Sequence, residues 1–325
     1  MILLTGGTGL IGRHVVERLR ADGVPVRCLV RPKAGRALDA ASPGSTEVVA
    51  GDLATGAGLP EALAGVDAVI HLAGVTKALR RDEYYAGNVH ATENLLRAME
   101  GSRARLVHVS SLAAIGPSES AALPVAVDAE PHPLTDYGRS KLEGERLVRA
   151  RRPEAVIVRP PVVYGPRDTD VFQVLKSVAK GWSIEMAGGE RWFSAIYVGD
   201  LASGLADLAM SQAGAGRAYY LAHQQPVSWG GLAACAARLM RVKLHVLRIP
   251  PALALAVGAG AEAWARMTGK PSIVSRDKIR EGLAAAWTCD TAPARADLGF
   301  VAQTDLEHGL ALTLEWYKEA GWLNY

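Results

Sequence analysis

Thr5-Gly6-Gly7-Thr8-Gly9-Leu10-Ile11-Gly12 lies between the apolar run Ile2-Leu3-Leu4 and a helical pattern that begins at Ile11. No other stretch of the chain restricts its fold as much. Two glycine spacings overlap in it, Gly6/Gly9/Gly12 and Gly7/Gly9/Gly12. Glycine is needed because the turn is tight, the backbone must approach a ligand closely, and the helix must pack near the strand. Amides at the helix N-terminus then face an anion. A glycine triplet alone is weak evidence, but between a strand and a helix it reads as a dinucleotide cradle formed by Gly6, Thr8, Gly9, Leu10, Ile11 and Gly12.

The first half of the chain repeats this strand-helix alternation. Apolar runs near 1–5, 25–31, 46–50, 67–72, 104–110 and 154–159 read as strands. Residues 11–21, 83–99 and 135–151 read as helices, with Leu95, Leu96 and Met99 on one apolar face. The strands lack polar alternation, as a parallel sheet covered on both faces requires. An α/β fold follows, with a Rossmann-type doubly wound parallel sheet. After Arg159 the texture changes, because Pro160, Pro161, Gly165 and Pro166 break the pattern and shorter elements follow. Helices are expected over 171–180, 201–212, 229–240, 250–268 and 305–320, and short strands over 196–199, 217–222 and 244–247. Residues 1–165 form the expected dinucleotide-binding domain, with 196–222 returning to it. Residues 166–195 and 223–325 form a smaller, discontinuous C-terminal substrate region.

A chain of 325 residues buries a substantial core without disulfides. Its net charge of +3, from 36 basic and 33 acidic residues, supplies no field that calls for a nucleic-acid partner. The basic stretches Arg149 to Arg152 and Arg27 to Arg36 read as solvated faces. Cys28, Cys235 and Cys289 are far apart and make neither a disulfide framework nor a zinc set. With no leader pattern before the glycine loop, a cytoplasmic protein is expected. His14, His90, His108, His132, His223, His245 and His308 show no metal spacing, so no metal is expected. The apolar run from Ile249 to Ala261 is shorter than the roughly 20 residues that span a bilayer. It reads as a buried helix, as a wall of an apolar pocket, or as an interfacial helix in peripheral contact with a membrane.

In a dinucleotide fold, an acid at the end of the second strand binds the adenosine ribose. Here that strand reads Val26-Arg27-Cys28-Leu29-Val30-Arg31, with Val30 at the acid's place. Without a carboxylate to repel a 2′-phosphate, Arg31 can offer it a charge-assisted fork, so NADP(H) is preferred, with NAD(H) as the alternative. Lys33 and Arg36 are possible assistants. Gly51-Asp52-Leu53 and His71-Leu72-Ala73-Gly74 end the third and fourth strands, where such sheets bind ligands. Asp52 and Leu53 are assigned to the adenine end, and Ala73 and Gly74 to the ribose.

Tyr137-Gly138-Arg139-Ser140-Lys141 places a phenol and an ammonium one helical turn apart, on one face. A free phenol is too weakly acidic to act as a base at neutral pH, and a nearby cation favours its ionised form. Tyr137 can then exchange a proton with a substrate oxygen, while Lys141 also holds the nicotinamide ribose. Ser110-Ser111 ends the fifth strand, and Ser111 can orient the substrate oxygen.

With TGGTGLIG at 5–12, GDL at 51–53, HLAG at 71–74, NVHATENLL at 88–96, VSSLAAIG at 109–116, YGRSK at 137–141 and RPPVVYGP at 159–166, the chain resembles an extended short-chain dehydrogenase/reductase of the broad NAD-dependent epimerase/dehydratase family. The resemblance covers nearly the whole chain. It implies Ser111, Tyr137 and Lys141 as the catalytic set and Asn88 as the asparagine flanking the site. It also implies contact of Pro160 and Val163 with the nicotinamide end, and a homodimer built on two long helices.

Three features favour a reductase. Phe193-Ser194-Ala195-Ile196-Tyr197-Val198-Gly199-Asp200 resembles the form seen in 3β-hydroxysteroid dehydrogenase-like members, and the arginine of nucleotide-sugar enzymes is absent at Phe193, although Arg191 is near. Ala113 stands where sugar enzymes often carry threonine, and no acid adjoins Ser111. The apolar stretch from Ile249 through Met267 suits a hydrophobic ketone. The expected activity is NADP(H)-dependent interconversion of a secondary alcohol and a ketone on a steroid-, flavonoid- or acyl-like small molecule. The alternatives are a nucleotide-sugar epimerase or dehydratase with tightly bound NAD(P), and a non-catalytic NADP(H)-binding regulator. Trp182, Trp192 and Phe193 are candidates for the substrate mouth or for buried packing.

Overall fold

The computed structural model describes residues 1–32, 46–268 and 276–325. Lys33 and Arg36 lie outside them. Six apolar runs form strands: β1 (Ile2–Thr5), β2 (Val26–Val30), β3 (Thr46–Ala50), β4 (Ala68–His71), β5 (Arg105–Val109) and β6 (Val156–Val158). With a late strand at Ala218–Tyr219 they make one seven-stranded sheet, ordered 218–219, β6, β5, β4, β1, β2, β3. Every pairing in it is parallel. The strand order reverses between β1 and β4, and the crevice above their carboxyl ends is where such sheets take ligands.

Alternate residues of each strand serve opposite layers. Leu4, Ile70, Val107 and Val156 pack with the helices Leu10–Ala21 and Val198–Met210. Leu3, Val69, Leu106 and Ile157 pack with the helices Leu59–Leu63, Ala91–Ala98 and Asp136–Arg151. The edge strand β3 departs from the expected continuous burial: among the described strands it pairs with β2 alone, and Glu47 and Val48 are exposed. The basic stretches are not purely solvated either. Arg27 ties the carbonyls of Glu61, Ala62 and Ala64 to β2, and Arg152 those of Met99, Ser102 and Ala104.

The pattern over 83–99 is not one helix. A helix at Arg81–Tyr85 runs into a π turn at Ala86–His90 and then into the helix Ala91–Ala98. Within the turn Gly87 packs tightly against Val75, where a Cβ would lie 2.3 Å from a Val75 methyl.

Past β6, short strands and helices gather around a second core of Val171, Leu175, Phe193, Leu232, Leu310 and Tyr317. Its strands are a three-stranded sheet of 227–228, 192–193 and 286–287, a pair of 162–164 with 195–197, and a parallel ribbon of Trp182–Met186 with His245–Ile249. The helix Pro251–Thr268 follows that ribbon directly. No helix among the described residues is long and apolar enough to cross a membrane.

Candidate functional site

The glycine loop is shaped by contacts that a side chain would break. Gly6 has φ of +77°, and a Cβ on it would lie 2.7 Å from the Ala73 amide nitrogen; one on Gly12 would lie 2.2 Å from the Gly6 carbonyl oxygen. The loop after β1 therefore touches the end of β4, across the reversal point. Gly9 precedes the helix Leu10–Ala21, is exposed, and supplies no capping side chain to the first-turn amides. An uncapped helix N-terminus reached through glycine suits a phosphate, and these residues fit a dinucleotide. Thr8 and Leu10 are half-buried beside it, and the Thr8 carbonyl accepts from Arg13 Nε at 3.1 Å.

The other assigned positions string along the carboxyl ends of the sheet. Arg31 follows β2 and is exposed, while Val30 is buried. Asp52 follows β3, and its Oδ1 accepts the Ala54 amide at 2.9 Å, so one carboxylate oxygen holds a local turn. The Leu53 carbonyl accepts from Asn94. Pro160 follows β6 and accepts the Leu112 amide, while Val163 is half-buried in the strand paired with 195–197.

Tyr137 and Lys141 lie on the helix Asp136–Arg151, whose N-terminus is capped by Thr135 Oγ1 accepting from the Gly138 amide at 3.2 Å. A Cβ on Gly138 would lie 2.3 Å from the Ala113 carbonyl oxygen, so the start of this helix rests on the 3₁₀ turn Leu112–Ala114. Ser111 caps that turn, accepting from the Ala113 amide at 3.2 Å, a bond that leaves the hydroxyl proton to be given elsewhere. Its neighbour Ser110 is buried, with no partner for its hydroxyl among the described residues. Tyr137 is half-buried, and its ring lies 6.2 Å from that of Tyr84.

Lys141 is buried, and its ammonium donates to the Val109 carbonyl at the end of β5 at 2.7 Å. A Cβ on Gly74 would lie 3.7 Å from Lys141 Nζ, so the ammonium sits over the ends of both β4 and β5. Burial pushes Lys141 down from 10.5 to about 8, and Glu145 one turn on partly opposes the fall. Asn88, in the π turn, braces this helix: its amide accepts from the Val75 nitrogen and donates to the Val75 carbonyl and to Ser140 Oγ. Ser140 Oγ in turn donates to the Tyr137 carbonyl at 2.7 Å.

Several polar residues behind the site carried no assignment in the sequence. Glu145 and Arg159 make a buried fork, at 2.9 and 2.7 Å, between the helix Asp136–Arg151 and the end of β6. His71 and His108 face each other across β4 and β5, with ring centroids 5.3 Å apart. His71 is held between the hydroxyls of Thr5 and Thr92, whereas both nitrogens of His108 are buried without partners among the described residues. Burial, then the Lys141 charge, lowers His71 to about 3 and His108 well below its ordinary value, so both rings are neutral. The available signals were an acid one turn beyond Lys141 and a histidine at or next to the end of two neighbouring strands, His71 in β4 and His108 in β5. Among the described residues no histidine, cysteine or carboxylate group is arranged to hold a metal. Phe193 belongs to the core, its ring tilted against that of Trp229 with centroids 4.3 Å apart, while Trp182 is exposed and Trp192 half-buried.

This geometry agrees with what the chain is similar to. The family model described as "NAD dependent epimerase/dehydratase family" matches residues 2–222. A ceramide reductase of Caulobacter vibrioides (strain NA1000 / CB15N) is 32% identical over 99% of this chain and 96% of its own. A 4-hydroxy-2-methyl-3-oxo-4-farnesyl-3,4-dihydroquinoline-1-oxide ketoreductase of Stigmatella aurantiaca is 28% identical over 94% of this chain and 93% of its own. The crystal structure of gox2253 superposes with a TM-score of 0.81 at 24% identity, covering 100% of this chain and 99% of that one, which shows a shared fold. With the glycine loop, the parallel sheet and the matched family all in agreement, the chain belongs to the NAD-dependent epimerase/dehydratase family and is an NAD(P)-dependent oxidoreductase of the extended short-chain type.

Proposed function

We propose that the protein is an NADP(H)-dependent ketoreductase of a long-chain or polycyclic apolar ketone, with Ser111, Tyr137 and Lys141 acting on the carbonyl oxygen. The observation that carries this is the buried Lys141 ammonium over the ends of β4 and β5, one turn from Tyr137 and beside the turn that Ser111 caps. When bound, the nicotinamide dinucleotide supplies the hydride. Tyr137 gives the substrate oxygen its proton in the reducing direction and takes it back in the other. Lys141 stabilises the resulting phenolate and holds the ribose, and Ser111 donates to the carbonyl oxygen to fix its position. Asn88 and Ser140 position the helix turn that carries Tyr137.

The first-turn amides after Gly9 take the pyrophosphate, with Gly6, Thr8, Leu10, Ile11 and Gly12 shaping the loop. Arg31 meets the 2′-phosphate, Asp52 and Leu53 border the adenine, Ala73 and Gly74 the ribose, and Pro160 and Val163 the nicotinamide. Residues 1–165 with 196–222 bind the cofactor, and 166–195 with 223–325 shape the substrate pocket. Two relatives whose names state reductions of ceramide and of a farnesyl-bearing ring support the apolar substrate class.

Consumption of NADPH against steroid, aryl and long-chain acyl ketones tests the reading, with NADH and UDP-sugars in parallel. Turnover of an apolar ketone with NADPH is expected, and Tyr137→Phe keeps cofactor affinity while losing about 10²–10⁴ in kcat. A sugar interconverted without net cofactor consumption overturns the ketoreductase reading; an NADH preference overturns the role of Arg31.

A further inference from the structure

The ribbon of Trp182–Met186 and His245–Ile249 has two unlike faces. Its register pairs Trp182 with His245, Ile184 with Leu247 and Met186 with Ile249, and strand alternation puts these six side chains on one face. On that face Ile184 is 61% exposed and Leu247 50% exposed, with the Trp182 and His245 rings 5.3 Å apart. On the opposite face the inner strand meets the body of the protein, with Ser183 buried and Glu185 approaching Gly230 on the helix Trp229–Met240, while Val246 and Arg248 of the outer strand stay exposed. The helix Pro251–Thr268 continues from the ribbon and exposes Leu253, Val257, Trp264 and Met267, positions that share one helical face. Large exposed apolar groups gathered on one face of an element, as on the ribbon and again on the helix that continues from it, mark a contact surface.

Charge identifies the partner. Lys180, Arg241 and Lys243 are exposed where the ribbon begins, with the Gly181 carbonyl accepting the His245 amide, and Arg248 is exposed further along. Of the six cations over residues 176–186 and 238–257, Arg238 pairs with Glu307 and Arg248 with Glu185, which leaves Lys176, Lys180, Arg241 and Lys243 to give this end its positive charge. Cations beside an apolar face that bears tryptophan match the boundary between anionic headgroups and acyl chains. The surface is also tied to the candidate site. The helix Pro251–Thr268 packs on Arg276–Leu283, whose Glu281 accepts from Thr135, the cap of the helix bearing Tyr137.

We propose that the ribbon and the helix Pro251–Thr268 dock the protein on an anionic lipid bilayer surface, laying the region beside the Tyr137 helix against the membrane. Delivery of an apolar ketone from the bilayer rests on the ketoreductase reading; the docking itself does not.

The test is co-sedimentation of the full chain with vesicles of phosphatidylglycerol and phosphatidylethanolamine, and with phosphatidylcholine vesicles, at low and high salt. Binding to the anionic vesicles, weakened by salt, is expected. The pair Lys180→Glu with Lys243→Glu and the pair Ile184→Ser with Leu247→Ser each reduce partitioning roughly ten-fold or more, with unchanged melting and unchanged turnover of a water-soluble ketone. A wild-type chain that stays in the supernatant overturns docking, as does binding that the charge reversals leave intact. So does light scattering that shows a wild-type dimer split by the serine pair, since the face then belongs to a second copy. Vesicle binding needs neither cofactor nor ketone. A chain that binds vesicles but reduces nothing therefore counts only against the ketoreductase, and one that reduces ketones but ignores vesicles only against docking.

Discussion

Lys141 shows how a single residue is placed against its own solvation. A fall from 10.5 to about 8 means that keeping the ammonium charged inside the fold costs on the order of 3 kcal/mol at neutral pH. Lys141→Met is therefore expected to raise the melting temperature at pH 7 while turnover is lost, which thermal melting and a ketone assay check together. Between about 8 and 10.5 the unfolded chain still holds a proton that the folded chain has released, so this group makes stability rise with pH across that window. Activity moves the other way. Loss of the ammonium above about pH 8 removes support for the phenolate, and kcat/KM for ketone reduction is expected to decline there. At the other end of the sheet, Arg31→Ala is expected to reduce the preference for NADPH over NADH about 10–100-fold, measured as the ratio of the two kcat/KM values.

The helix Asp136–Arg151 is locked to the sheet by one charged fork. Arg159 also donates to the Val127 carbonyl and lies 5.9 Å over the Tyr220 ring, so Glu145→Ala strands a buried guanidinium. A loss of about 3–5 kcal/mol in urea unfolding is expected. The alkaline limb should also move to lower pH, because the Glu145 charge is what partly holds Lys141 up. At this scale the sequence shows the parallel strands well, since most of their residues are apolar and each stands between segments of helical or turn pattern. It shows the π turn poorly: the turn is five residues long, too short to display a period of its own, and the close approach of Gly87 to Val75 beside it is a tertiary contact. The pairs 192–193, 227–228 and 286–287 are too short to have a period at all. The helices Leu59–Leu63, Arg276–Leu283 and Ala292–Leu298 and the strand Trp182–Met186 also carried no sequence assignment. YxxxK and the glycine loop were legible as local spacings. The pairing of Glu145 with Arg159 was not, because it joins residues 14 apart through the fold.

Across the whole molecule, the cofactor sheet is built from both ends of a long excursion. The helix Val198–Met210 covers Leu4, Ile70 and Val107, and the strand 218–219 pairs with β6. A fragment ending at residue 195 keeps the helix Leu10–Ala21 but exposes the rest of that apolar sheet face and the β6 edge, and it is expected to aggregate or to melt without a cooperative transition by calorimetry. The same connectivity governs biosynthesis. About 60 residues separate β6 from its outer neighbour, so at roughly 5–20 residues per second a nascent polypeptide waits about 3–12 s with that rim bare. During that interval a ribosome-bound chaperone has an unfinished hydrophobic surface to shield.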